Sequence, residues 1–307
     1  MSKRSRILNF HRKYCRALYI FMVSLIVATL LFSCSFSNYC VAEDDQKVVS
    51  KPKPETRLVF ILQGADYEIL SSSPFDMAII DPDDSGLNIA DIKSLHSQNK
   101  KVFAYLSIGE AENYRYYWQK DWKTGNPDFV EKENINWDGN YKVMYWDKEW
   151  QKIVFAMLSK IIETGYDGVY LDVVDAYRYF EELGYVNARQ QMSDFVISIS
   201  KYSKSINANF LIIPQNAEEL IESEGYLAAI DGAGRESLWY LYDTLQDEDD
   251  FADSLAYLDR IKASGRLVFV ISYCSKVENI KDFKKLARKH GFISFVGSKE
   301  LDHILNP

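Results

Sequence analysis

The stretch Tyr166-Asp-Gly-Val-Tyr-Leu-Asp-Val-Val-Asp-Ala-Tyr177 contains a short apolar run that ends in an aspartate, Asp172. The run is short and contains β-branched and aromatic residues, so 168–172 is predicted to be a buried β-strand. Because side chains alternate along a strand, Tyr170 and Asp172 share one face. The segment therefore predicts a strand that carries a carboxyl group at its C-terminal end.

Seven further runs of this kind occur, at 58–63, 77–81, 101–107, 210–213, 227–231, 267–272 and 292–296. Helical periodicity appears between them, at 88–99, 149–164, 187–206, 251–264 and 277–290. Near-continuous apolar strands that alternate with helices indicate a parallel sheet whose outer face is covered. Eight strands in about 250 residues is the usual size of a (β/α)8 TIM barrel, and we predict this α/β fold as a single domain over 58–307.

A doubly wound open sheet is the alternative architecture. The first connection, 64–76, leaves little room for a full helix, which is the weak point of the barrel prediction. No G-x-G-x-x-G follows the first strand, so the sequence does not support a dinucleotide-binding version of the open sheet.

Residues 1–42 have the composition of a targeting segment. They contain six Lys or Arg and no acidic residue, and an apolar run from Ala17 to Phe32 follows the basic residues. A secretory signal has this order, so we predict that the rest of the chain acts outside the cytoplasm, after a polar tether at 43–57.

Three fates of this leader are open. Small residues up to Ala42 offer a cleavage site, the apolar run is nearly long enough for an uncleaved membrane anchor, and Cys34 lies in a segment similar to a lipid-attachment motif. Attachment to a membrane through the leader is therefore one of the predicted alternatives.

The chain without its leader is strongly acidic. The whole chain has 36 Lys and Arg and 44 Asp and Glu, so removal of the six basic residues of 1–42 leaves 30 against 44, a net charge of −14. Such a surface argues against nucleic acid as a partner and suits neutral or cationic ligands. Cys274 would be the one remaining cysteine, so no internal disulfide is expected.

Polar side chains follow most of the predicted strands. Carboxylates stand at or near the ends of five strands, and a barrel would gather them at one mouth, where barrel enzymes have their active sites. These acids are Asp66, Asp81, Glu110, Glu112, Asp172, Asp175 and Glu236. The sequence therefore predicts a carboxylate-rich site at the C-terminal ends of the strands.

Two segments resemble glycoside hydrolase family 114, the endo-α-1,4-polygalactosaminidases and their relatives: Tyr166–Tyr177 and Val102-Phe-Ala-Tyr-Leu-Ser-Ile-Gly-Glu-Ala-Glu112. Shorter matches are Leu62–Asp66, Ile79–Asp83 and Pro214-Gln-Asn216, in barrel order. The resemblance implies a (β/α)8 fold, no metal or other cofactor, and cleavage of a galactosamine-containing polymer. It also implies that Asp172 is the acid after the fourth strand, Asn216 the polar residue after the fifth and Glu236 the acid after the sixth.

Hydrolysis of a glycosidic bond needs a carboxylic acid that protonates the leaving oxygen and a carboxylate that attacks or activates water. We predict Asp172 and Glu236 as this catalytic pair, with Glu110 or Glu112 as the alternative partner acid. A structural role at a helix start is the alternative for Asp172, and for Asp175 it is the favoured interpretation.

Other side chains are predicted to bind the sugar. The predicted substrate-binding residues are Asp66, Tyr67, Asp81, Tyr105, Glu110, Glu112, Trp122, Tyr170, Asp175 and Asn216. Five of the six tryptophans lie between the third and fourth predicted strands, four of them in one long connection, 108–148, and either stack on sugar rings or form a small core of their own.

The predicted function is an exported, monomeric glycosidase that acts on an amino-sugar polysaccharide, such as that of a biofilm, without a cofactor. No metal site is predicted, because neither H-E-x-x-H nor a paired-cysteine spacing occurs after the leader. The alternative is a barrel that binds glycan without cleaving it.

Overall fold

The computed structural model describes residues 56–302. The predicted leader, 1–42, and nearly all of the predicted tether, 43–57, lie outside the described residues. None of the helices within 56–302 is both long enough and apolar enough to cross a membrane.

Strands and helices alternate along the described chain. The strands are β1 (Leu58–Ile61), β2 (Met77–Ile80), β3 (Lys101–Ser107), β4 (Glu110–Glu112), β5 (Val130–Glu133), β6 (Asn140–Val143), β7 (Gly168–Asp172), β8 (Leu211–Pro214), β9 (Gly232–Glu236), β10 (Tyr240–Leu241), β11 (Thr244–Leu245), β12 (Leu267–Ser272) and β13 (Ile293–Val296). The helices are α1 (Tyr67–Ser72), α2 (Pro82–Ser85), α3 (Ile89–Ser97), α4 (Lys148–Thr164), α5 (Tyr177–Glu182), α6 (Ala188–Ile206), α7 (Tyr226–Ala229), α8 (Glu248–Ala263) and α9 (Val277–His290). Short 3-10 turns occur at Val174–Ala176 and Glu218–Glu222.

Eight of these strands are parallel and form two sheets. One sheet has the strand order β1-β2-β3-β7-β8, and the other has the order β9-β12-β13. An isolated parallel bridge between Gln215 and Gly234 links β8 to β9. The predicted α/β fold with a parallel sheet is therefore confirmed. The strand order follows the chain without reversal, so the doubly wound alternative is wrong.

The sixth strand differs from its prediction. The apolar run 227–231 forms the short helix α7 and the turn after it, and the strand is the following segment, Gly-Ala-Gly-Arg-Glu. Gly232 packs so closely on Leu267 that a Cβ atom would lie 2.8 Å from the Leu267 carbonyl oxygen. This strand is built for close backbone approach and therefore lacks the apolar pattern by which strands are recognised.

Local signals explain where several helices begin and end. Asn88 and Asp91 form a reciprocal capping box at the start of α3, and the Asp147 side chain accepts from Glu149 N at 2.8 Å at the start of α4. Gly165 ends α4 in a left-handed conformation, with a φ of 97°. The connection 64–76 accommodates the six-residue helix α1.

The core has two layers. Alternate residues of the strands point to opposite faces, so that Phe60 and Tyr170 pack inside the sheets while Val59 and Val169 pack against the helices. Inside, the Phe60 ring lies 5.3 Å from Tyr170 and 6.3 Å from Phe295 of β13. Outside, α4 buries residues such as Trp150, Val154 and Ile161 at helical spacing, together with Leu158. Both faces of the parallel sheets are thus covered.

The connection between β3 and α4 contains a second, smaller sheet. Strands β4, β6 and β5 pair antiparallel in that order. This sheet carries Glu110 and Glu112 on β4 and Lys142 on β6, and it stands beside the C-terminal ends of the parallel strands.

Candidate active site

A cavity of about 950 Å³ opens at the C-terminal ends of the parallel strands. Its lining includes both predicted catalytic acids, Asp172 at the end of β7 and Glu236 at the end of β9. Among the charged side chains of this lining, acidic ones outnumber basic ones. The basic lining residues are Arg115, Lys142 and Lys299.

One amide group connects the two acids. The Nε2 atom of Gln215, which follows β8, donates to Asp172 Oδ1 at 3.0 Å and to Glu236 Oε2 at 2.9 Å. A glutamine amide has two N–H donors, and both are used here. Gln215 is itself buried, so this contact fixes the separation of the two carboxyl groups.

Glu236 is held by further hydrogen bonds. The Asn216 Nδ2 atom donates to Glu236 Oε2 at 3.2 Å, the Glu236 backbone N–H donates to Asn216 Oδ1 at 3.0 Å, and the Tyr273 hydroxyl donates to Glu236 Oε1. Asn216 has a φ of 57°, in the left-handed region that asparagine tolerates better than most residues. The amide of Asn216 therefore binds Glu236 in two ways.

Asp172 also accepts a hydrogen bond from a tyrosine. The Tyr105 hydroxyl donates to Asp172 Oδ2 at 2.5 Å. Burial and the nearby charge of Glu236 raise the pKa of Asp172 to about 7. Two carboxyl groups this close cannot both be charged without cost, which is why the charge of Glu236 contributes to the raised pKa of Asp172.

A second group of charges surrounds Arg115. Its guanidinium binds Asp81 with two hydrogen bonds of 2.7 and 2.6 Å and Glu112 with one of 2.6 Å, and it also contacts Asp83 at 3.2 Å. Asp81 in addition caps α2, since its Oδ1 accepts from the Asp83 N–H at 2.9 Å. Burial raises the pKa of Glu112, and Arg115 opposes that rise.

Glu110 and Asp175 complete the acidic lining near the catalytic pair. Glu110 accepts from Asn134 Nδ2 at 2.9 Å and from Lys142 Nζ at 3.1 Å. Burial raises the pKa of Asp175, and the positive charges of Arg178 and Lys142 oppose the rise. The structure thus brings Asp81, Tyr105, Glu110, Glu112, Asp172, Asp175, Asn216 and Glu236 together around one cavity.

Four predicted substrate-binding residues lie outside the lining of this cavity. Asp66 is exposed and caps α1 by accepting from Ile69 N at 2.8 Å, and the Tyr67 hydroxyl bonds with Ser94 Oγ at 2.7 Å. Trp122 packs edge-on against Trp118 at 5.3 Å and Phe129 at 5.3 Å. Tyr170 is fully buried beneath the catalytic pair. These positions favour structural roles for all four.

Several cavity residues were not among the sequence predictions. Gln215 stands in the quoted segment Pro214-Gln-Asn216, and Tyr273 directly follows the predicted strand 267–272. Arg115 and Lys142 lie in the long connection, where nothing in the sequence indicates which side chains turn inward. Trp137, one of the tryptophans predicted to stack on sugar or to form a small core, also lines the cavity. Among residues 56–302, no cluster of three or more His, Cys, Asp or Glu side chains is arranged to hold a metal ion.

Comparison with known proteins gives a matching family and several relatives of similar sequence. The profile described as glycoside-hydrolase family GH114 matches residues 40–306. An uncharacterised protein of Deinococcus radiodurans is 37% identical over 238 residues, which are 76% of each chain. One of Methanocaldococcus jannaschii is 35% identical over 263 residues, 79% of this chain and 76% of the relative.

Two solved structures share the fold. The glycoside hydrolase domain of PelA from Pseudomonas aeruginosa superposes with a TM-score of 0.63 at 19% identity, over 81% of this chain and 96% of that one. Aspergillus fumigatus Ega3, solved in complex with galactosamine, gives a TM-score of 0.64 at 18% identity, over 82% and 94%. At these identities the superpositions establish a shared fold.

Proposed function

Because this chain belongs to glycoside-hydrolase family GH114 and is accordingly a glycosidase, we propose that it cleaves a galactosamine-containing polysaccharide with Asp172 and Glu236 as its catalytic pair. The observation that carries this assignment is the single amide nitrogen of Gln215 that binds both carboxyl groups. Glycoside hydrolysis requires two carboxyl groups at a defined separation. The shared hydrogen-bond donor supports such a separation between Asp172 and Glu236.

The proposal includes a closed (β/α)8 barrel. The rings of Phe60 in the first strand and Phe295 in the last strand pack against each other at 6.3 Å. The bridge between Gln215 and Gly234 joins the two parallel sheets. At the other junction Leu62 N donates to Leu301 O at 2.8 Å, although no ladder joins β13 to β1 within residues 56–302. A barrel would explain why acids from β7 and β9 share one mouth.

The separation of the acids supports a retaining reaction. Two oxygens bound to one nitrogen lie less than about 6 Å apart, near the 5–5.5 Å of retaining enzymes and below the 6.5–9.5 Å of inverting ones. In the first step the protonated carboxyl group donates its proton to the glycosidic oxygen as the carboxylate attacks the anomeric carbon. In the second step the first group removes a proton from water, which displaces the enzyme carboxylate from the sugar.

The acidic lining of the cavity supports an amino sugar as the substrate. A free amine is protonated near neutral pH, and carboxylates around a cavity attract cations. Ega3, which shares the fold, was solved with galactosamine. We accordingly propose a polymer in which galactosamine units carry free amines.

Export and a monomeric state are part of the same proposal. The basic and apolar leader supports export, with membrane attachment as one of its outcomes. Fusion to a reporter that is active only in the cytoplasm should give no signal, and a signal would refute export. Size-exclusion chromatography with light scattering should give the mass of one chain.

The direct test of the function is product release. The purified protein is incubated with de-N-acetylated galactosaminan and with its N-acetylated form, and soluble oligosaccharides are measured by mass spectrometry. We expect oligosaccharides from the de-N-acetylated polymer. Binding without product release would instead support the non-catalytic barrel.

A further inference from the structure

Trp137 presents an open aromatic face to the cavity. Its side chain is 48% exposed and lines the cavity from the turn between β5 and β6. The backbone of this turn is fixed, since Trp137 N donates to Asn134 O at 3.1 Å and Asn140 N donates to Trp137 O at 3.1 Å. The ring is thus an exposed surface on a well-defined turn.

The ammonium group of Lys299 lies over that ring. Its Nζ atom is 5.1 Å from the centroid of Trp137, within the range of a cation–π contact. The segment that carries Lys299 is anchored to the end of β1, because Glu300 O accepts from Gln63 Nε2 at 3.1 Å and Leu301 O accepts from Leu62 N at 2.8 Å. The lysine therefore reaches the tryptophan from a fixed position.

Lys299 differs from the other basic residues of the cavity. Arg115 and Lys142 are bound to carboxylates, whereas no ion pair within residues 56–302 involves Lys299. In a cavity rich in carboxylates, this positive charge contacts an aromatic face instead. The face of Trp137 is therefore suited to a cation.

We propose that the face of Trp137 is a subsite for a sugar unit with a free ammonium group, and that Lys299 occupies this subsite in the unliganded enzyme. A galactosamine unit offers both an ammonium group and C–H bonds that stack on an indole ring, whereas an N-acetylated unit offers only the stacking. The inference rests on the proposed function and identifies where the cavity distinguishes the two forms of the sugar.

The test is a double-mutant cycle of binding affinity. Kd is measured by calorimetry in a D172N background, for a de-N-acetylated galactosamine oligosaccharide and for its N-acetylated counterpart. Without the competing lysine, K299A should bind the de-N-acetylated oligosaccharide about two- to fivefold more tightly, the factor expected of one cation–π contact at an exposed site. W137A should weaken that binding and abolish the gain from K299A, whereas W137F should preserve part of it.

A matched control comes from another cation–π pair. The Lys160 Nζ atom lies 3.6 Å from the centroid of Tyr116, which does not line the large cavity, so K160A should leave both affinities unchanged. The subsite is refuted if the K299A gain persists in the W137A background, since that would be a general effect of charge. It is also refuted if both oligosaccharides respond equally or if K160A gives the same gain.

Failure of the subsite and failure of the proposed function are distinguishable. Cleavage of the polymer by the D172N protein would refute the catalytic assignment. Normal cleavage by the wild-type protein, together with independent effects of W137A and K299A, would refute the subsite and leave the catalytic assignment intact.

Discussion

Gly234 lies directly against the hydroxyl group of Tyr170, so that a Cβ atom at position 234 would lie 2.0 Å from the tyrosine oxygen. Tyr170 is fully buried beneath Asp172 and Glu236, and burial together with their charges raises its pKa well above the usual value. The absence of a side chain at Gly234 therefore leaves room for the Tyr170 ring beneath the acids.

We expect G234A to lower the free energy of unfolding by about 1–3 kcal/mol, the usual cost of overpacking a core, and to reduce kcat because Tyr170, which lies next to the acids, must shift. Thermal unfolding and kinetics test both effects. Y170F removes the nearest contact but keeps the ring, so the double variant should recover part of the lost stability. A fully stable G234A protein would contradict the packing.

Gln215 should control the ionisation of the acid pair. Loss of its amide in Q215A removes a donor from each carboxylate, and this favours the protonated form of the pair. The high-pH limb of kcat/KM should therefore shift to higher pH, while kcat falls because the acids are no longer held at their separation. Q215E adds a third carboxyl group and should shift the limb further. An unchanged pH profile with a lower kcat would reduce Gln215 to a packing role.

Stability should depend on pH through Asp172. Its pKa is raised to about 7 in the folded protein, against about 4 in an unfolded chain, so the folded state binds the extra proton between these values. The free energy of unfolding should consequently decrease as pH rises from about 4 to 7 and then level off, by up to about 4 kcal/mol.

D172N removes this titration, and its stability should change less between pH 4 and pH 8 than that of the wild-type protein. Urea unfolding at both pH values measures the difference. An equal change in the two proteins would show that other groups cause the dependence.

Amide variants of the two acids should fold but lose turnover. General acid–base catalysis contributes roughly 10²–10⁴-fold, and we expect losses of at least this size for D172N and E236Q. E149Q, at an exposed salt bridge on α4, is the control and should be fully active. Loss of folding in both acid variants would instead indicate that the acids are structural.

Rescue experiments should assign the two roles. Azide should restore turnover of an activated aryl glycoside in both variants or in one, but only in the variant that lacks the nucleophile should the glycosyl azide have inverted configuration at the anomeric carbon. The acid replaced in that variant is then the nucleophile of a retaining enzyme. The variant of the acid should still cleave substrates whose leaving groups need no protonation.

Trp122 should matter for stability more than for binding. Its ring packs on Trp118, Tyr117 and Phe129 and lies outside the lining of the cavity. We expect W122A to lower the free energy of unfolding by about 3–5 kcal/mol, with KM for long oligosaccharides little changed. A higher KM at unchanged stability would return Trp122 to the substrate-binding surface.

The parallel strands were predictable where they are apolar, and their ends were predictable as a carboxylate-rich mouth. The strand at Gly232–Glu236 was not, because its glycines serve close packing on Leu267 and Tyr170, which is a tertiary requirement without a local pattern. Asp66 and Asp172 show the same limit. Asp66 comes shortly after a strand and Asp172 ends one, but only the structure shows that the first caps a helix and that the second shares the Gln215 amide with Glu236.

The contact between Gln63 and Glu300 joins residues that are 237 positions apart in sequence. The beginning of the domain therefore lacks these backbone partners until residues 300 and 301 have left the ribosome, however early the other strands pair. Such long-range closure is slow to form because the entropy of a large loop must be lost first. We conclude that this closing contact forms after the other parallel strands have been synthesised, and that a chain cut before Ser298 would lose the hydrogen bonds from Leu62 and Gln63 to residues 300 and 301.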